Sequence, residues 1–215
     1  MKNQAIKTIL FDVDGTLINS DEAMMGSIQR MLKEELGRDY SFDDLRFTKG
    51  IPTTSTLAHF DFPKSDYPRL MKSVDHHIDE LIDTEKLYPE IEEMLAELSQ
   101  HVRLGIITSK TDREMNNEFP QFGISDYFDL IVTASDTDKH KPDPAPLRYA
   151  LDHLDEDVDN AIYIGDTKYD LQTAHSAGMR FALAGWGTEL TPELQQSDWV
   201  LDDPHALVDL AEDNK

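Results

Sequence analysis

Short apolar, β-branched runs recur along the chain at residues 6–11, 102–108, 130–133, 161–164 and 181–184, with a weaker run at 199–201. Stretches with helical periodicity separate them. Such alternation places the chain in the α/β class, with a parallel sheet of about five strands, because parallel neighbours need a crossover helix between them. In an open sheet of this kind, ligands bind beyond the carboxyl ends of the strands, at the point where strand order reverses. Those ends are polar here: Asp12, Thr108, Ser135 and Asp166 each follow an apolar run.

The spacing has one irregularity. About ninety residues separate the first two runs, whereas later ones lie roughly twenty to thirty apart, as βαβ units require. One crossover helix cannot fill the longer gap. Its pattern is helical, with Met24, Ile28, Met31, Leu32 and Leu36 on one face of 21–36, and Leu70, Val74, Ile78, Leu81 and Ile82 on one face of 67–82. Pro52, Pro63 and Pro68 punctuate it. Residues 18–86 are therefore expected to form an all-helical insertion, and residues 1–17 and 87–215 the α/β core. A helix over 89–99, with Pro89 near its first turn, returns to the core. The tail beyond Asp202 reads as a short surface helix that frays.

The first run ends in Asp12-Val13-Asp14-Gly15-Thr16. Two carboxylates this close with no basic neighbour repel each other and favour a hard cation such as Mg²⁺. If both serve one ligand, the backbone is expected to leave strand geometry near Asp14, which Gly15 permits. The same letters suit part of a calcium loop or a hairpin turn, but an apolar strand precedes them and no closing Glu follows at the right spacing. Three more motifs follow in order: Ile106-Ile107-Thr108-Ser109, Lys141-Pro142-Asp143-Pro144, and Gly165-Asp166-Thr167-Lys168-Tyr169-Asp170. Taken singly, Thr108 is a helix cap, Lys141 sits in a solvated loop, and Asp166 and Asp170 serve a helix start. Their joint arrangement around strand ends argues for a site.

Composition excludes several classes. With 43 acidic and 20 basic residues the formal charge is −23, which disfavours nucleic acid and anionic membranes as partners. The field also repels anionic substrates, but salt screens it within about 8 Å, so local lysines and a cation can dominate at a site. The acidity reads as a solubility feature or the mark of a salty habitat. The chain has no cysteine, which excludes thiol catalysis, disulfides and thiolate metal sites. It shows neither a signal core nor a membrane-length apolar run, so a cytoplasmic protein is expected. No Gly-Lys-Ser/Thr sequence occurs, so the loop after Asp12 is no Walker loop.

The four motifs together resemble the haloacid dehalogenase (HAD) superfamily of phosphohydrolases, over nearly the whole chain and with the insertion in the family's place. The phosphoglycolate phosphatase-like branch is the nearest in flavour. The resemblance implies a Rossmann-like core, a helical cap and Mg²⁺. It implies that Asp12 is the nucleophile, that Asp14 is the acid and base, and that Thr108 and Lys141 grip the phosphoryl oxygens. The metal set would be Asp12, Asp14 through its backbone carbonyl, Asp166 and Asp170, the last through a water or by orienting Lys141. Gly15 and Thr16 would present amides or hold the turn. Ser109 replaces the Asn common in relatives, which changes a substrate contact.

On the cap, Arg46, Lys49 and Gly50 are the expected substrate contacts, because a basic side chain beside a flexible Gly can reach an anion. Glu90 stands where relatives often have Gly, a difference expected to affect a turn. His140 reads as solvated, and His76-His77 as a surface pair, since adjacent helix residues do not face one site. The expected substrate is a small phosphorylated metabolite, and the expected state a monomer or weak homodimer. Asp14 argues against dehalogenase and phosphonate chemistry. A phosphomutase stays open, although the cap His usual after the first motif is missing. Pyrophosphate hydrolysis and a catalytically idle regulatory scaffold stay open as well.

Overall fold

A computed structural model describes residues 5–49 and 51–214. Eight strands are described: β1 (Thr8–Phe11), β2 (Ile18–Asn19), β3 (Lys86–Leu87), β4 (Arg103–Ile107), β5 (Leu130–Val132), β6 (Ala161–Gly165), β7 (Arg180–Ala184) and β8 (Trp199–Leu201). The α-helices are α1 (Asp21–Leu36), α2 (Phe42–Leu45), α3 (Thr53–His59), α4 (Tyr67–Leu81), α5 (Ile91–Leu98), α6 (Asp112–Glu118), α7 (Ala145–Leu154), α8 (Lys168–Ala177) and α9 (His205–Asp213). The chain divides into two compact units. One runs up to Ile18 and resumes at Leu87; the other is Asn19–Lys86.

The first unit is α/β. Its sheet has six strands in the order β5-β4-β1-β6-β7-β8, and every pairing is parallel. The sixth strand is the weak run at Trp199–Leu201. Side-chain alternation feeds two apolar layers. Ile9, Phe11, Ile106, Ile162 and Ile164 pack with α5 and α9 residues such as Ile91, Leu95 and Leu207. Leu10, Ile107, Tyr163 and Phe181 pack with α7 and α8 residues such as Leu147, Leu151 and Leu171. Strands buried on both faces explain the near-continuous apolar runs in the sequence.

Two expectations need correction. The tail helix α9 is no surface helix: Leu207, Val208 and Ala211 are buried, and the Asn214 carbonyl accepts the Ile6 amide at 2.9 Å. The return helix starts at Ile91 and not at Pro89, because Glu90 takes a left-handed conformation at its N-cap, with φ 66°. A side chain there costs about 1 kcal/mol that glycine avoids. Glu90→Gly is expected to raise unfolding stability by about 0.5–1 kcal/mol in urea titration, because the left-handed strain outweighs glycine's greater loss of chain entropy. A lower midpoint would show that the Glu90 side chain contributes more than its strain costs.

The second unit has its own small core of Ile28, Met31, Leu32, Leu45, Leu57, Leu70 and Val74, most of it from α1 and α4. His76 is exposed on α4 as expected, but His77 is buried. Its two ring nitrogens each lie 3.1 Å from a carboxylate, of Glu34 on α1 and of Glu80 on α4. Helical phase explains the difference, since adjacent residues sit about 100° apart and only one can face the neighbouring helix. No helix among the described residues is long and apolar enough to cross a membrane.

Candidate active site

β1 bonds to β4 on one side and to β6 on the other, so three strand ends meet where the sheet order reverses. Alternation then decides which side chains meet. Leu10 faces the α7–α8 layer, and Tyr163 on β6 faces the same way. Asp12, two residues beyond Leu10, lies on that side too, where α8 brings Asp170 and the loop before α7 brings Lys141.

These groups form one buried network. Lys141 Nζ lies 2.9 Å from Asp12 Oδ1, 2.7 Å from Asp170 Oδ1 and 3.1 Å from the Tyr163 hydroxyl. The Tyr163 hydroxyl is itself 2.9 Å from Asp170 Oδ1 and 3.2 Å from the Ile107 carbonyl. Asp170 Oδ2 accepts from the Thr167 amide at 3.1 Å and from its hydroxyl at 2.5 Å, in a capping box that starts α8. Four donors thus hold Asp170 and, through it, aim Lys141. Gly165 is required at the end of β6, because a Cβ there would sit 2.5 Å from that of Asp170.

Asp12, Asp166 and Asp170 each offer a carboxylate oxygen within 4.8 Å of the others, and all three are buried. One ammonium cannot balance three carboxylates, so the donor set fits a hard divalent cation. The imbalance shows in Asp12. Burial pushes its carboxyl up to about 7; the Lys141 ammonium works against that, and the charges of Asp170 and Asp14 add to it. Burial also works to lower Lys141, but Asp12 and Asp170 outweigh it and hold the ammonium firmly protonated. Burial, followed by the neighbouring carboxylate charges, raises the Tyr163 phenol well above its ordinary value.

The backbone does leave strand geometry after Asp12. Gly15 has φ 78°, and any Cβ on it would overlap the Asp166 carboxylate. The Gly15 amide donates to Ile18 O at 2.8 Å and the Thr16 amide to Val13 O at 3.3 Å, so both amides hold the turn. The Thr16 carbonyl accepts from Trp186 Nε1 at 2.8 Å, which ties the loop after β7 to this turn. Asp14 is partly exposed, and Lys110 Nζ lies 3.5 Å from its Oδ1. Thr108 is buried at the end of β4, its hydroxyl accepting the Lys110 amide at 3.1 Å and keeping its own proton to donate. Ser109 and His140 are exposed. In the other unit, Arg46 pairs with Asp43 at 3.0 Å and Lys49 with Asp21 at 3.1 Å. Gly50 lies outside the described residues.

Sequence reasoning missed Tyr163, Lys110 and Trp186. Tyr163 sits inside an apolar run and looks like core packing. Its signal is that a buried phenol needs a polar partner.

Residues 9–184 match the model of the haloacid dehalogenase-like hydrolases. The chain belongs to this family. It is an enzyme, a HAD-like hydrolase. A pyrophosphatase PpaX of Bacillus cereus is 30% identical over 208 residues, covering 92% of each chain. Among solved structures, a Lactobacillus plantarum protein provisionally assigned as a phosphoglycolate phosphatase has a TM-score of 0.88 and 27% identity, covering 96% of this chain and all of its own. A haloacid dehalogenase-like hydrolase of Streptococcus pneumoniae has a TM-score of 0.86 and 25% identity, over 98% of this chain and 99% of its own.

Proposed function

We propose that the protein is a Mg²⁺-dependent phosphatase of small phosphate monoesters, of the phosphoglycolate or sugar-phosphate type. The observation that carries this reading is the buried cluster of Asp12, Asp166 and Asp170 around Lys141. In this reading Asp12 attacks phosphorus and forms an aspartyl phosphate, releasing the alkoxide. Asp14 donates the proton that the alkoxide needs, then takes one from the water that hydrolyses the intermediate. Lys141 and Thr108 balance charge on the phosphoryl oxygens. Asp12, Asp166 and the Asp14 backbone carbonyl would hold the cation, and Asp170 would act through Lys141 or a water. When bound, Mg²⁺ withdraws charge from the phosphoryl group. Arg46 and Lys49 remain proposed substrate contacts.

Pyrophosphate is a second reading, favoured by the name of the Bacillus cereus relative. The same residues would serve it, with phosphate as the leaving group. The test is phosphate release from a panel of small esters and pyrophosphate, with Mg²⁺ and with chelator. Mg²⁺-dependent release is expected, and the best substrate decides between ester and pyrophosphate. No release from folded protein across the panel would sink both readings.

A further inference from the structure

The loop between β4 and α6 holds a buried charge group that the proposed chemistry leaves unused. Lys110 is 11% exposed, and its Nζ is 2.5 Å from Glu118 Oε2 and 3.5 Å from Asp14 Oδ1. Glu118, on α6, is 7% exposed. Burial raises its carboxyl above the ordinary value, while Lys110 works to lower it. Asp14 Oδ1 is itself buried and accepts no hydrogen bond among the described residues. Its ion-pair neighbour among them is Lys110.

The backbone under Lys110 is fixed at both of its polar groups. Its amide donates to the Thr108 hydroxyl at 3.1 Å, and its carbonyl accepts the Ala134 amide at 2.8 Å. The next residue, Thr111, caps α6 in a reciprocal box with Glu114. The lysine stem thus leaves a rigid base, Glu118 holds its tip, and the tip faces Asp14. A lysine that merely neutralised Glu118 would have no reason to end beside the catalytic strand's second carboxylate. Asp14 stands at the start of the Gly15–Leu17 turn and is partly exposed, so its own backbone does not fix where its carboxyl points. A general acid works only within hydrogen-bond reach of the proton's destination, and small displacements at such a position are costly.

The geometry points to Lys110 as a positioning residue for Asp14: clamped by Glu118, it holds the Asp14 carboxyl toward the leaving-group oxygen. The inference rests on the proposed role of Asp14 as the acid. Lys110 touches neither the substrate nor the reacting atoms in this account. Its effect must therefore appear where proton donation matters and fade where it does not. A poor leaving group, such as an alkyl alcohol, needs the proton as its bond to phosphorus breaks; p-nitrophenolate leaves without it.

The experiment compares kcat/KM for an alkyl phosphate and for p-nitrophenyl phosphate, because this ratio reports the step in which the leaving group departs. Lys110→Met is expected to lower the alkyl value by about 10-fold or more and the aryl value by less than about 3-fold. Lys110→Arg is expected to restore much of the loss, and Glu118→Gln, which loosens the clamp but keeps an oxygen that accepts from Lys110, to lower the alkyl value more than the aryl value and by less than Lys110→Met does. Lys110→Met/Glu118→Gln removes the buried charge pair together. It should show the same selectivity as Lys110→Met, even if the single variant folds poorly. Asp14→Asn runs alongside. Equal losses on both esters in the Lys110 variants, with Asp14→Asn selective against the alkyl ester, would overturn this inference alone. An unselective Asp14→Asn would overturn the acid role of Asp14, and this inference with it.

Discussion

Asp12→Asn is expected to lower turnover by about 10⁴-fold or more on every substrate that the wild type accepts. Asparagine keeps the size of the side chain and an oxygen that can accept from Lys141, which lies 2.9 Å from Asp12 Oδ1. It lacks the negative oxygen that attacks phosphorus in the proposed reaction. The loss should therefore fall on kcat. The measurement is phosphate release at saturating Mg²⁺ and substrate, together with a trapping experiment for phosphorylated protein in a single turnover. Wild type should show transient labelling and the variant none. Residual activity above about one per cent would mean that water attacks directly, with the buried cluster acting as an electrostatic cradle. In that case Asp14 would have to serve as a base in the first step.

The residues of this cluster are readable for a specific reason. Asp12 and Asp166 each lie just past an apolar run, and the αβ alternation says that those run ends gather at the carboxyl edge of the sheet. Parity along the strands then aims the groups: Leu10 and Tyr163 face the same helical layer, so Asp12 and the phenol meet there. What parity cannot show is which polar group on the following helix answers them. Asp170 reads as a helix-start residue, and it is one, at N3 of the Thr167 box. Its second oxygen carries the link to Lys141, and a capping residue with a second partner looks the same in sequence as one without. Lys110 and Glu118 are eight residues apart, at a loop and at the end of a seven-residue helix, a spacing with no periodic signature. His77 departs in the opposite sense. A pair of neighbouring histidines reads as exposed, yet the helix phase set by Leu70 and Val74 turns one of them inward.

The metal-free protein is expected to lose stability as pH rises, because of Asp12. Its carboxyl titrates near 3.8 when the chain is unfolded and at about 7 in the fold, where burial is the main cause. The fold therefore binds this proton more tightly than the unfolded chain does. The contribution is fully present below about pH 4 and is lost as pH rises through about 7, an effect on the order of 4 kcal/mol across the window. Lys141 does not cancel it, since Asp170 competes for the same ammonium at 2.7 Å and already has three other donor contacts, from the Tyr163 hydroxyl and the Thr167 amide and hydroxyl. Carboxylates outside the core held low by their partners, such as Asp44 and Asp143, run the other way in acid, so the absolute curve mixes both signs. The difference between wild type and Asp12→Asn isolates the buried group. In chelator, the variant should become the more stable of the two as pH rises from about 4, the gap widening up to about pH 7 and levelling off beyond it. Adding Mg²⁺ at about pH 8 should close most of it by stabilising the wild type, because a cation that binds only the folded state adds its binding energy to folding. A gap that stays flat with pH would mean that Lys141 keeps Asp12 ionised throughout, and that the proposed nucleophile is charged before any cation arrives.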